Sequence, residues 1–159
     1  MIMKNENHLS KTTFPKTILV PCDFSDCSSN ALVYAVEFAK QSGGTLVLLH
    51  VIEPIPPGFL IEGTPSRQTQ SRMRERASHQ LSALAILHES DANLGRPLVK
   101  SGRPWEVIVS MATKIAADLI VIGTHGYAGL KHALLGSVAE RVVRHAPCPV
   151  LTVRPKARR

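Results

Sequence analysis

The chain has 159 residues, 44% of them hydrophobic and 19% charged, which suits one domain with its own core and excludes a disordered polyelectrolyte. No apolar run approaches the roughly 18 residues of a membrane span. The net charge of +7 sits mostly at the ends: Arg154, Lys156, Arg158 and Arg159 contribute +4, whereas the body from Lys16 to Val153 carries only +2.

Lys16 to Val20 reads as a first strand that ends at Pro21-Cys22-Asp23. Ser28 to Gln41 follows as a helix, with Ala31, Leu32, Ala35, Val36 and Ala39 on one face. Ser25, Asp26 and Ser28 are its candidate N-caps, and Gly43-Gly44 its stop. Thr45 to Ile52 is a continuous apolar strand of the kind buried on both faces of a parallel sheet. The proline-rich stretch from Glu53 to Ser66 is a loop, and Arg67 to Asn93 a long helix, basic at first and apolar later. Pro97 to Ser101 forms a third strand, and Pro104 opens a helix that runs to Ala117. Leu119 to Ile122 is a fourth strand, Gly136 to His145 a last helix, and Pro149 to Val153 a fifth strand.

This alternation predicts an α/β fold, an open five-stranded parallel sheet with helices on both faces. Residues 1–15 read as an N-terminal arm, 16–154 as a single domain and 155–159 as a basic tail. The arm lacks the apolar stretch of a secretory signal. Cys22, Cys27 and Cys148 are odd in number and without C-x-x-C spacing, so they read as reduced thiols of a cytoplasmic protein. Aromatic residues make up 4% of the chain, too few for base stacking, which argues against a nucleic-acid partner.

In open α/β sheets a ligand binds beyond the carboxyl ends of the strands, where the strand order reverses. Two stretches qualify: Pro21-Cys22-Asp23 after the first strand, and Gly123-Thr124-His125-Gly126 after the fourth. Gly123 and Gly126 would let backbone approach a ligand where a Cβ would block it. Gly136 and Ser137 open the following helix, whose unpaired N–H groups and dipole favour an anion. A glycine-rich turn before a capped helix is the plainer reading of the same residues.

Gly123, Gly126, Gly136 and Ser137 together spell Gly-x2-Gly-x9-Gly-Ser, and here the chain resembles the ATP-binding subgroup of the universal stress protein family. Three further blocks resemble that family in the same order: Ile18 to Ser25, Leu48 to Glu53 and Ala146 to Val153. The resemblance covers about Lys16 to Arg154 and implies a Rossmann-like fold, similar to that of the adenine nucleotide alpha hydrolases. It further implies an ATP site, with magnesium arriving on the nucleotide rather than on protein ligands. Asp23 would hold the ribose hydroxyls, Val51 would meet the adenine edge through its backbone, and Pro21 and Ile122 would line the pocket. Gly123, Gly126, Gly136, Ser137 and Val138 would contact the phosphates, with Thr124 and His125 as second choices. The family also pairs commonly through its last strand. Here that implies a homodimer on Val150–Val153, since the final strand should lie at a sheet edge with unpaired backbone groups.

Other chemistries find little support. Ser42-Gly43-Gly44-Thr45 reads as a helix stop rather than a phosphate loop, and no P-loop, Gly-x-Gly-x-x-Gly or Gly-x-Ser-x-Gly occurs. The seven histidines include no His-x-x-x-His pair, so no protein-built metal site is expected. Trp105 reads as core, and Cys22 as a buried structural thiol beside the site. No catalytic residue stands out. The nucleotide is therefore expected to act as a regulatory or structural ligand in a stress response, the alternative being a slow ATP hydrolase or adenylate-handling enzyme of the same fold.

Overall fold

The computed structural model describes residues 14–54, 67–124 and 135–155. Its elements are β1 (Thr17–Pro21), α1 (Asp26–Ser42), β2 (Thr45–Ile52), α2 (Arg67–Leu87), β3 (Asn93–Leu94), β4 (Leu98–Ser101), α3 (Pro104–Lys114), β5 (Leu119–Gly123), α4 (Ser137–His145) and β6 (Val150–Val153). All pairings are parallel, in the order β3-β2-β1-β5-β6, with β4 also on β2. β3 meets Thr45 and Leu46, and β4 meets Leu49 to Ile52. The two are thus successive pieces of one edge, interrupted around Pro97, and the sheet is five strands wide as its alternation predicted.

The expected helix to Asn93 stops six residues early. Past Leu87 the polar run His88 to Asp91 offers no apolar face to bury, and tertiary bonds claim the backbone instead. Asn93 Nδ2 donates to Thr45 Oγ1 at 2.8 Å and Gly95 N–H donates to Leu46 O at 2.7 Å, which lays this segment against β2. Lys40 meets Asp91 at 3.2 Å and ties the turn to the end of α1.

Strand alternation divides the core in two. Ile18, Val20, Leu46, Leu48 and Val121 pack against Ala31, Leu32, Ala35 and Ala39 of α1 and Leu81 of α2. Leu19, Leu49, Ile120 and Ile122 face Ile108, Met111 and Ala112 of α3 and Ala139 and Val142 of α4. Trp105 packs against this second cluster, its ring 5.3 Å from that of His145, which accords with a core role. Chain direction changes side between β1 and β5, so these neighbouring strands mark the reversal of strand order.

Local signals set the helix ends. Ser25 caps α1, its Oγ accepting from Ser28 N–H at 3.2 Å, so the helix begins earlier than Ser28. Gly43 closes it in the left-handed region at φ 64° and donates its N–H to Ala39 O. At the opposite end of β1, the Asp118 carboxylate accepts the N–H groups of Lys16 and Thr17, both at 2.9 Å. It thereby staples the start of β1 to the start of β5.

The first turn of α1 lies hard against the end of β5. A Cβ on Gly123 would stand 3.0 Å from both the carbonyl carbon and the Sγ of Cys27. Cys27 Sγ in turn donates to Val153 O at 3.3 Å, and Asn30 Nδ2 to Arg154 O at 2.8 Å. Helix packing by itself therefore accounts for a glycine at position 123, before any approach of a ligand is considered. Gly123→Ala is expected to cost about 1–3 kcal/mol through overpacking. Urea unfolding should show a lower midpoint at unchanged slope; an unchanged midpoint would show that α1 yields freely.

Candidate functional site

The residues singled out from sequence converge on the C-terminal edge of the sheet, around the ends of β1, β2 and β5. Ile122 and Val138 belong to or pack on the α3/α4 side of the core, as does Val51, and alternation along β1 puts Pro21 on the same side as Leu19. Asp23 follows β1 directly, and Ser137 opens α4. Gly126 and His125 lie outside the described residues.

Asp23 sits in a tight turn. Its Oδ1 accepts from the N–H of Ser25 at 3.0 Å and from the Ser25 hydroxyl at 2.5 Å. Its Oδ2 has no protein partner among the described residues and can accept two further hydrogen bonds. The next residue, Phe24, adopts φ 64°, a left-handed conformation that costs a non-glycine residue about 1–2 kcal/mol. The Phe24 ring lies 4.5 Å from the ring of His50, tilted by 32°, and the Nδ1 of His50 lies 2.7 Å from Cys22 O. A carbonyl only accepts, so Nδ1 carries the proton.

β2 presents its backbone at the same place. Thr45 N–H donates to Lys16 O and Leu49 O accepts from Cys22 N–H, so the odd-numbered residues of β2 face β1. Even-numbered ones face the other edge, where Leu46 O and Ile52 O accept from Gly95 and Gly102. Pairing with β1 ends at Pro21 and Leu49. The amide edge of Val51 therefore points into the crevice past the end of β1, and its N–H has no partner among the described residues.

The third wall is the start of α4. Thr124 is buried, donates its N–H to Val153 O at 2.8 Å and accepts from Gly136 N–H at 2.6 Å. Gly136 thus returns the chain to the end of β5, and its own N–H is committed to that closure rather than free for a ligand. The first bond inside the helix is Glu140 N–H to Gly136 O, and no side chain caps the end. The N–H groups of Ser137, Val138 and Ala139 are left unpaired among the described residues, where the helix dipole favours an anion.

Cys22 is buried between these walls, its thiol donating weakly to Val20 O at 3.5 Å. Burial, and then the charge of Asp23, push its pKa up to about 12, so at neutral pH it stays a thiol and a poor nucleophile. Among the described residues no group of histidines, cysteines and carboxylates could hold a metal ion. No described helix is long and apolar enough to cross a membrane. Sequence reasoning missed His50 and Ser25 as parts of the site, because their roles depend on which strand ends the fold brings side by side.

What the edge offers is an open carboxylate oxygen, an outward backbone amide and an uncapped helix start, at a point where strand order reverses. Known proteins share the frame. A universal stress protein of Thermus aquaticus, from the QAH/OAS sulfhydrylase 3′ region, is 37% identical over 141 residues, covering 87% of this chain and 98% of its own. The solved structure of MJ0577, a universal stress protein of Methanocaldococcus jannaschii, superposes with a TM-score of 0.77 at 28% identity, over 92% of this chain and 99% of that one. A universal stress protein solved in complex with cAMP gives a TM-score of 0.59 at 25% identity, over 89% and 98%. The model of the universal stress protein family itself matches residues 15–154, the whole span from the start of β1 to the end of β6, and to that family the chain belongs.

Proposed function

We propose that this chain is an ATP-binding universal stress protein, the nucleotide serving as a regulatory or structural ligand in a stress response. The observation that carries this reading is a set of three groups at one sheet edge that are unpaired among the described residues: Asp23 Oδ2, the Val51 N–H and the first turn of α4. They match an adenine nucleotide in kind and order. Val51 meets the base edge, Asp23 accepts from the ribose hydroxyls, and Pro21 and Ile122 supply apolar walls. Ser137 and Val138 donate to phosphate oxygens, Gly123, Gly126 and Gly136 belong to the same phosphate-contacting pattern, and magnesium arrives bound to the phosphates. The cAMP complex of a relative supports an adenine nucleotide over other anions. Reduced thiols, two of them buried, suit a cytoplasmic location.

Asp23→Asn keeps an acceptor for Ser25 and replaces the open oxygen with a donor that the ribose hydroxyls do not want. Titration calorimetry should show ATP affinity falling about tenfold, or 1.4 kcal/mol. Unchanged affinity would remove Asp23 from the site.

Nothing among the described residues stands as a general base beside the α4 start. Turnover of ATP is therefore expected below about 1 per second, the low end for ordinary enzymes. A steady-state assay above that rate would favour the hydrolase reading instead.

Among the described residues β6 pairs only with β5 and forms one edge of the sheet. Two-fold antiparallel pairing of Val150–Val153 with a second copy satisfies both edges and closes the assembly. Leu151→Pro, which removes an N–H and bends the strand, is expected to abolish a dimer seen by light scattering at micromolar concentration. A wild-type monomer would refute this pairing.

A further inference from the structure

The β1–β2 ladder stops one bond before its geometry requires. Its register runs from Thr17 opposite Thr45 to Pro21 opposite Leu49, and its last bond is Cys22 N–H to Leu49 O at 2.8 Å. In a parallel ladder the facing residue two further along donates next, so Val51 N–H should reach Cys22 O. That carbonyl is held instead by the Nδ1–H of His50, at 2.7 Å. The diversion is local and specific, since His50 is the neighbour of the residue whose bond it replaces.

The same side chain grips the other flank of Asp23. Phe24 holds its left-handed backbone with its ring centroid 4.5 Å from that of His50. Such a conformation persists only where the surroundings over-determine it. His50 therefore touches the residue before Asp23 through a hydrogen bond and the residue after it through a ring contact. Asp23 itself is left with Oδ1 tied to Ser25 and Oδ2 open.

We infer that His50 is the positioning residue of the site: by taking the Cys22 carbonyl it keeps the Val51 N–H free for a ligand's base, and by holding Phe24 it aims Asp23 at the ribose. The ligand part of this rests on the nucleotide reading above; the diversion of the carbonyl does not. The mechanism is a competition between two donors for one acceptor. With the imidazole donor gone, Cys22 O is free to turn to Val51, the ladder zips by one rung, and the base edge is spent within the sheet.

Two substitutions separate the donor from the ring. His50→Phe keeps an aromatic ring against Phe24 and removes the Nδ1 donor. His50→Asn returns an N–H donor near that position without the ring. Amide hydrogen exchange followed by NMR reads the Val51 N–H directly, without any nucleotide. It should exchange readily in the wild type, become at least tenfold slower in His50→Phe, and stay open in His50→Asn. ATP affinity by calorimetry should fall about tenfold in His50→Phe and remain within about threefold of wild type in His50→Asn. A Val51 amide equally exchangeable in wild type and His50→Phe would overturn the inference. So would measurable and equal ATP affinity in those two proteins. Wild-type protein that shows the exchange difference but takes up no ATP would sink the nucleotide reading and leave the His50 diversion standing.

Discussion

The first turn of α1 packed on the end of β5 is the contact on which the rest of the edge depends. Cys27 stands where a Cβ of residue 123 would have to go, and the same residue reaches on to Val153 O. Asn30, one turn further, takes Arg154 O. One helix start thus gathers the ends of β5 and β6 beside the end of β1, from which it has just emerged. The tight approach leaves little room for the connection from β1 to α1, which turns sharply through Asp23, Phe24 and Ser25. The left-handed Phe24 is the local cost of that turn.

That cost is offset by several bonds acting together. Ser25 caps the helix while its N–H and hydroxyl both hold Asp23, and His50 holds both flanks. The two bonds from Ser25 to the Asp23 carboxylate are charge-assisted, about 1.5–3 kcal/mol each, and the neutral ones contribute about 0.5–1.5 kcal/mol. Together they exceed the strain of one residue and fix a carboxylate with one oxygen open. The stability of the turn and the presentation of the site are the same set of bonds.

Much of this was legible in the sequence. The largely apolar run of eight residues from Thr45 to Ile52 announced a strand buried on both faces, and β2 occupies those bounds. Gly43 announced the end of α1, Pro104 the start of α3, and alternation with helices the parallel sheet. The edge where the candidate residues meet was legible too, since the rule that places ligands at a reversal of strand order needs only topology. The two-residue β3 was not, because Asn93 and Leu94 become a strand only through the edge of β2. Asp118 stands just ahead of the expected fourth strand with nothing to mark it, yet its carboxylate serves two backbone groups about a hundred residues away. His50 sat within an apolar run with nothing to mark its ring nitrogen as a partner for Cys22. What sequence conceals here is long-range polar pairing, which leaves no periodicity behind.

The glycine pattern also divides its labour differently from a reading in which every glycine admits a ligand. Gly123 answers to α1, whose first turn leaves no space for a Cβ. Gly136 donates its N–H to the Thr124 carbonyl, a bond that any residue but proline could make in its extended conformation, so that bond does not by itself call for a glycine. An anion would be met instead by the N–H groups that come after the last glycine, beginning with Ser137. One of the four pattern positions, Gly123, is thus explained by architecture before any ligand enters. It follows that Gly123 would be retained even in a chain with an empty pocket, and that the discriminating features are the ones packing does not demand: Asp23 Oδ2, the Val51 amide and the first turn of α4, all unpaired among the described residues.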